Sequence, residues 1–184
     1  MRTTMIDLLK TDFYSHTKSS VNSPIYECLL GGIRETYWSE NHLIRTLLSL
    51  SNGTFNREIQ RSIKAQIENA KHQVNRLEHI LELLGESIDA RKCEAISGLC
   101  KEASEILEFT DDGTSTRDAS VILLAERIVS YEIAAYEGLI KIANAIGREN
   151  VASSLAESLI EEKLCSESLR ALSEITLHKA HFAE

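Results

Sequence analysis

Four stretches of this chain repeat apolar residues at alternating steps of three and four, and a single proline interrupts its 184 residues. Side chains spaced this way line one side of an α-helix, whereas a half-buried strand alternates by two. The first stretch carries Ile33, Tyr37, Ile44 and Leu47, and the second carries Ile59, Ile63, Ile67, Ala70, Val74, Leu77, Leu81 and Leu84. The third has Ile122, Ala125, Val129, Tyr136, Leu139, Ala143 and Ile146, and the fourth has Leu155, Leu159 and Leu169. Amphipathic helices of this length need partners to cover their stripes, so the chain reads as all-α, and its length suits one domain.

Cap and turn residues set the expected boundaries. Ser23 caps a helix with Pro24 in its first position, and that helix runs to about Leu50, where "SLSNGT" ends it. A second begins near Thr54 to Asn56 and stops at Gly85. Residues 86–118 form a long connection holding a shorter helix from roughly Arg91 to Phe109, followed by the turn-rich "TDDGTSTRD". The third long helix covers about Asp118 to Ile146, "GREN" makes a short turn, and the fourth covers about Val151 to Thr176. Two helical hairpins joined end to end require a connection that runs the length of the helices. The predicted architecture is therefore a ferritin-like four-helix bundle, with a crossover carrying a short extra helix between the second and third long helices. Residues 1–22 read as an N-terminal extension with one short helix through Met5, Ile6, Leu9 and Phe13, residues 23–178 as the bundle domain, and residues 179–184 as a C-terminal tail.

A formal charge of -8 disfavours a sequence-independent nucleic-acid binder and anchoring on anionic lipid, both of which use dense Lys and Arg. No apolar run approaches the ~20 residues that span a bilayer. Asp7, Lys10 and Asp12 interrupt the apolar residues of the amino terminus, which does not read as a secretory signal, so the expected compartment is the cytoplasm. Cys28, Cys93, Cys100 and Cys165 show no C-x-x-C spacing and read as reduced thiols packed as small hydrophobes.

Three stripes contain a residue that does not belong in them. Glu40, Glu132 and Glu162 each occupy an otherwise apolar position near mid-helix, so three carboxylates should meet in the interior. A buried ionised carboxylate costs several kcal/mol unless it is protonated, paired or given a cation. In ferritin-like di-metal proteins two Glu and two Glu-x-x-His motifs from four helices surround two iron or manganese ions. Here the second helix offers Gln66, Asn69 and Gln73, and the sequence reads Asn69-x-x-His72 and Glu162-x-x-Cys165. His72 falls about 160° from the apolar stripe at 100° per residue, on the outward face it shares with His79. His42 lies off the stripe of Glu40, and His178 and His181 belong to the tail. Three readings stay open: a satisfied polar layer in which the acids bond to Gln66, Gln73, Tyr37 and Tyr136, a functioning or weakened metal site, or a helix phase that leaves some of these acids exposed. Trp38 reads as core edge or oligomer contact, "IEEKL" as a solvated face with Glu162 as its one inward member, and Gly31 and Gly32 either as places for close helix approach or as mere weak spots in the helix.

"LLGGIRETYWSENHLIRTLL", "QVNRLEHILELLGE", "KCEAISGLCKEASEIL", "SYEIAAYEGLIKIANAIG" and "ESLIEEKL" together resemble the YciE/YciF-type family of bacterial stress-associated ferritin-like proteins, over roughly residues 26–176. The resemblance implies a ferritin-like bundle, usually paired as a homodimer, and places Glu40, Glu132 and Glu162 on acidic positions of the family pattern. That pattern has His at 66, Glu at 69, Glu-His at 129 and 130 and Asp at 166, where this chain has Gln66, Asn69, Val129, Ser130 and Ser166. The expectation is a homodimeric, stress-associated protein with a degenerate di-metal site and no bound cofactor, acting through its assembly or through a protein partner. The rival is a non-haem di-iron or di-manganese oxidoreductase acting on oxygen or peroxide, with Glu40, Glu132 and Glu162 as metal ligands and Gln66, Gln73 or Cys165 completing the set. A storage cage is a third possibility for which the chain offers no signal.

Overall fold

The computed structural model describes residues 23–183, with side chains to residue 178. The short helix expected through Met5, Ile6, Leu9 and Phe13 lies outside the described residues. Five helices and no strand occur among those described: α1 Pro24–Gly53, α2 Arg57–Leu84, α3 Glu94–Phe109, α4 Ser115–Ala145 and α5 Glu149–Ala183.

The local signals act as their chemistry predicts at several ends. The Ser23 hydroxyl accepts from the Tyr26 amide with Pro24 in the first turn, and the Asn56 side chain accepts from the amides of Glu58 and Ile59. Gly85 stops α2 with a φ of 72°, a left-handed conformation that glycine adopts without a Cβ penalty.

Five ends differ from the sequence reading. α1 continues past Leu50 through "SNG" to Gly53, where a Cβ would lie 2.4 Å from Leu107 Cδ2 of α3, so glycine lets the two helices meet there without that side chain shifting. α3 starts at Glu94 instead of Arg91, because the Arg91 amide bonds back to the Arg34 carbonyl and the Arg91 guanidinium pairs with Glu35 at 3.1 Å. α4 starts three residues before Asp118, since Thr114 caps it by accepting from the Arg117 amide. The Ser/Thr run that resembles a turn is its cap and first turn. Asp118 is buried there and accepts from the Phe55 amide at 2.9 Å, tying α4 to the α1–α2 turn. α5 starts at Glu149 and continues to Ala183, through the segment expected to be a tail.

α1 packs along α2, and α4 along α5, as two extended hairpins. The hairpins meet through α2 against α5 and α1 against α4, while the short α3 lies over α1 and α4. Buried apolar side chains form two clusters. One gathers Leu43, Leu47, Ile59, Ile63, Ile122 and Leu169 with residues of α3, and the other gathers Leu29, Ile33, Leu77, Leu81, Leu139 and Leu155. Between them, at mid-length of the four long helices, the buried side chains turn polar: Glu40, Gln66, Gln73, Glu132 and Glu162. Gly32 permits the close approach of α1 to α4, since a Cβ there would lie 2.6 Å from Leu139 Cδ2. Trp38 packs against the first cluster, at the edge of the core.

Candidate functional site

Glu40 of α1 has no solvent exposure, and Glu132 of α4 and Glu162 of α5 are buried with it. Their helical phase follows from the stripes: Ile33 and Leu43, Val129 and Tyr136, and Leu155 and Leu169 fix which side of each helix faces inward. The three acids are thus brought together from three helices, and the Glu132 carboxyl lies within hydrogen-bonding reach of both Glu40 and Glu162.

Burial raises all three carboxyls, and mutual repulsion adds to it for Glu40 and Glu132. Glu40 is pushed up to about 8, first by burial and then by Glu162. Glu162 is raised to about 7 by burial, against the opposing hydrogen bond from Gln73. Glu132 is raised by burial and then by the neighbouring Glu40 and Glu162. Burial and its two acidic neighbours therefore favour the protonated form of Glu132, which can donate to a neighbouring carboxylate.

The surrounding bonds agree with the sequence reading in part. Tyr136 Oη donates to Glu40 Oε1 at 2.7 Å, and Gln73 Nε2 donates to Glu162 Oε1 at 2.8 Å. Two other expected partners do something else. Tyr37 donates to Glu78 at 2.9 Å, because its ring lies at the α1–α2 edge and its hydroxyl reaches outward, and Gln66 Nε2 reaches Cys165 Sγ at 3.0 Å. Gln73 is fully buried where the stripe was assigned to its neighbour Val74, and Asn69 is only half-buried. The sequence reading missed Arg76, which clasps Glu161 with bonds of 2.8 and 3.1 Å and donates to Ser158 at 2.7 Å. Its signal was available: Gln73 and Arg76 stand three apart on one face of α2, opposite the acidic pair Glu161 and Glu162.

Among the described residues no imidazole joins the three acids. His72, His79 and His178 are exposed, and His42 stacks on Trp38 with ring centroids 3.6 Å apart. Where a Glu-x-x-His motif would put histidine, α4 has Ala135 and α5 has Cys165, whose thiol burial pushes up to about 12. Gln66 and Gln73 of α2 turn amide N–H groups toward Cys165 and Glu162, and their Oε1 atoms, buried without a hydrogen-bond partner among the described residues, are neutral oxygens that cannot offset the charge of two divalent ions. Three carboxylates with neutral amides do not fit a pair of divalent ions, which ferritin-like di-metal proteins surround with four carboxylates and two imidazoles. Among the described residues no group of three or more His, Cys, Asp or Glu is arranged to hold a metal ion.

A cleft of about 190 Å³ opens between α1 and α4 and reaches Glu40 and Glu132 past Thr36, Ser39, Ala135 and Leu139. The sequence signal for it is a set of small residues facing one another, Gly32, Thr36 and Ser39 on α1 and Ala135 on α4, which leave space that larger side chains would fill. At its inner end Glu40 Oε2 is buried and receives no hydrogen bond from any donor among the described residues.

Comparison with known proteins supplies a frame for this site. A family model described as a domain of unknown function, DUF892, matches residues 25–181. Protein YciF of Escherichia coli strain K12 is 34% identical over 132 residues, which is 71% of this chain and 79% of the relative. The crystal structure of the E. coli stress protein YciF aligns with a TM-score of 0.80 at 31% identity, over 85% of this chain and 99% of that one. The structure of YcfI from Rhodopseudomonas palustris, a proposed structural protein, aligns with a TM-score of 0.76 at 29% identity, over 83% of this chain and 96% of that one.

Proposed function

The chain belongs to the DUF892 family, and from that premise we propose that it is a stress-associated, ferritin-like protein that keeps the helical frame of a di-metal protein without a complete di-metal centre. In this reading the four long helices are a four-helix bundle and α3 is the extra helix of the crossover. The molecule acts in the cytoplasm as a homodimer, through its assembly or through a protein partner, and not as a catalyst.

One observation carries the reading. The wall of the polar layer contributed by α2 consists of the amides Gln66 and Gln73, with N–H donors turned inward, where a di-metal protein needs anionic or imidazole ligands. The Escherichia coli relative is described as a stress protein and the Rhodopseudomonas palustris one as a proposed structural protein, and extending those roles to this chain is part of the proposal. A dimer is supported by Ile160, Leu164 and Ile175 of α5, which are 60%, 62% and 54% exposed and fall on one face of that helix. No helix among the described residues is long and apolar enough to cross a membrane.

The rival oxidoreductase reading draws on the unpartnered Glu40 Oε2, an oxygen that a cation would satisfy. If iron or manganese were bound, Glu40, Glu132 and Glu162 would be the residues to hold it, and it would supply redox chemistry toward oxygen or peroxide. Metal content separates the two readings. Protein purified after aerobic expression with added iron and manganese should carry far less than one metal per chain, unchanged in Glu162→Ala. Two metals per chain, lost in Glu162→Ala, would replace the proposal with the oxidoreductase.

A further inference from the structure

The cleft between α1 and α4 offers acceptors at nearly every polar position. Thr36 Oγ1 donates to the Gly32 carbonyl at 3.0 Å and Ser39 Oγ to the Glu35 carbonyl at 2.8 Å, so both hydroxyl protons are used within α1 and only lone pairs face outward. Tyr131 Oη is engaged with Cys93 Sγ at 3.0 Å. Glu35 is already paired with Arg91, and no Lys or Arg lines the cleft among the described residues. At the inner end stand Glu132 and the unpartnered Glu40 Oε2, both buried. A space walled by acceptors selects a ligand that donates.

Size and lining narrow the class. A cavity of 150 Å³ accommodates benzene, so about 190 Å³ admits a short organic chain and greatly exceeds what a bare metal ion needs. Gly32, Ala135 and Leu139 give the cleft an apolar side as well as an acidic end. We propose that this cleft binds a small primary ammonium compound, its N–H donors on Glu40 Oε2 and Glu132 and its short aliphatic part along Gly32, Ala135 and Leu139. The primary ammonium group has three donors in a compact head and matches two convergent carboxyls better than a planar or quaternary cation. The inference rests on the reading that these carboxyls are not the ligands of two metal ions.

Calorimetric titration of the full chain at pH 9 and constant ionic strength tests it, with n-butylammonium chloride as the probe, because burial holds the Glu40 carboxyl protonated up to about 8. One saturable site per chain is expected, with a dissociation constant on the order of 1 mM. Tetramethylammonium, which lacks N–H donors, and butyrate, which has the wrong charge, should give no saturable heat. Glu40→Gln should weaken n-butylammonium at least tenfold, about 1.4 kcal/mol, and Ala135→Leu should abolish binding by filling the cleft while the helical circular dichroism is retained. Should Glu40→Gln not fold, Ala135→Leu decides alone. Absence of a saturable site, or equal affinity in the parent and in Ala135→Leu, would overturn the inference. A parallel titration with Mn²⁺ separates the two failures: two ions per chain that displace n-butylammonium would remove this inference and the proposed function together. If neither probe binds, this inference alone is lost.

Discussion

Glu132 is the residue on which the interior turns. It lies between Glu40 and Glu162, and all three are raised by burial. In the unfolded chain these groups release protons near the ordinary value of 4.5, whereas the folded chain holds them until about 7 for Glu162 and about 8 for Glu40. The folded state therefore binds more protons than the unfolded state between those limits, so stability must fall as pH rises through that interval. This is opposite to the behaviour of a carboxylate in an ion pair. Glu40→Gln keeps an acceptor for Tyr136 and removes one titrating group. Urea unfolding at pH 5 and pH 8 should show the parent losing more stability than Glu40→Gln over the interval, by on the order of 2 kcal/mol, given about 1.4 kcal/mol per pKa unit. Parallel profiles for the two proteins would count against the buried cluster as the cause. The inward position of each Glu was legible because an acid inside an apolar stripe stands out. Its partners were less legible: Tyr136 and Gln73 share the inward phase of their helices, but Tyr37 bonds outward to Glu78, and that depends on side-chain reach.

At the scale of elements, the contact between α1 and α4 shapes the cleft. Gly32 meets Leu139 so closely that a methyl group would press on its Cδ2, the far end of a flexible side chain. Gly32→Ala should thus destabilise the parent by about 1 kcal/mol through overpacking. In a Leu139→Ala background the same change should be neutral or stabilising, because only the helix-propensity gain of up to about 1 kcal/mol is left. A double-mutant cycle by denaturant unfolding measures this, and additive effects would mean that the two helices do not meet there. Helix existence was legible from periodicity, and the ends at Ser23, Asn56 and Gly85 from cap chemistry. The ends at Gly53 and Glu94 were not, because Leu107 and Arg34 meet them from distant positions in the sequence.

At the scale of the whole molecule, a polar layer divides the apolar core into two clusters, and one outer face of α5 stays apolar. If that face is the proposed dimer contact, it must bury on the order of 1,600 Å² in total with its neighbours. Sedimentation at micromolar concentration should give a dimer, converted to a folded monomer by Ile160→Glu with Leu164→Glu, whereas a monomeric parent would remove the dimer from the account. Two polar clusters of one helix pair, the Arg76 clasp and the amide wall, show why the layer was only partly readable: each residue looks unremarkable alone, and the grouping exists only after α2 meets α5. The central claim is that acids from three helices share a dry interior and keep a proton there. Titration of the protein with its glutamate carboxyl carbons labelled, followed by ¹³C NMR, tests this most directly. The account predicts that the Glu40 carboxyl resonance is still largely in its protonated position at pH 7 and is missing in Glu40→Gln; complete titration of every glutamate below pH 5 would contradict it.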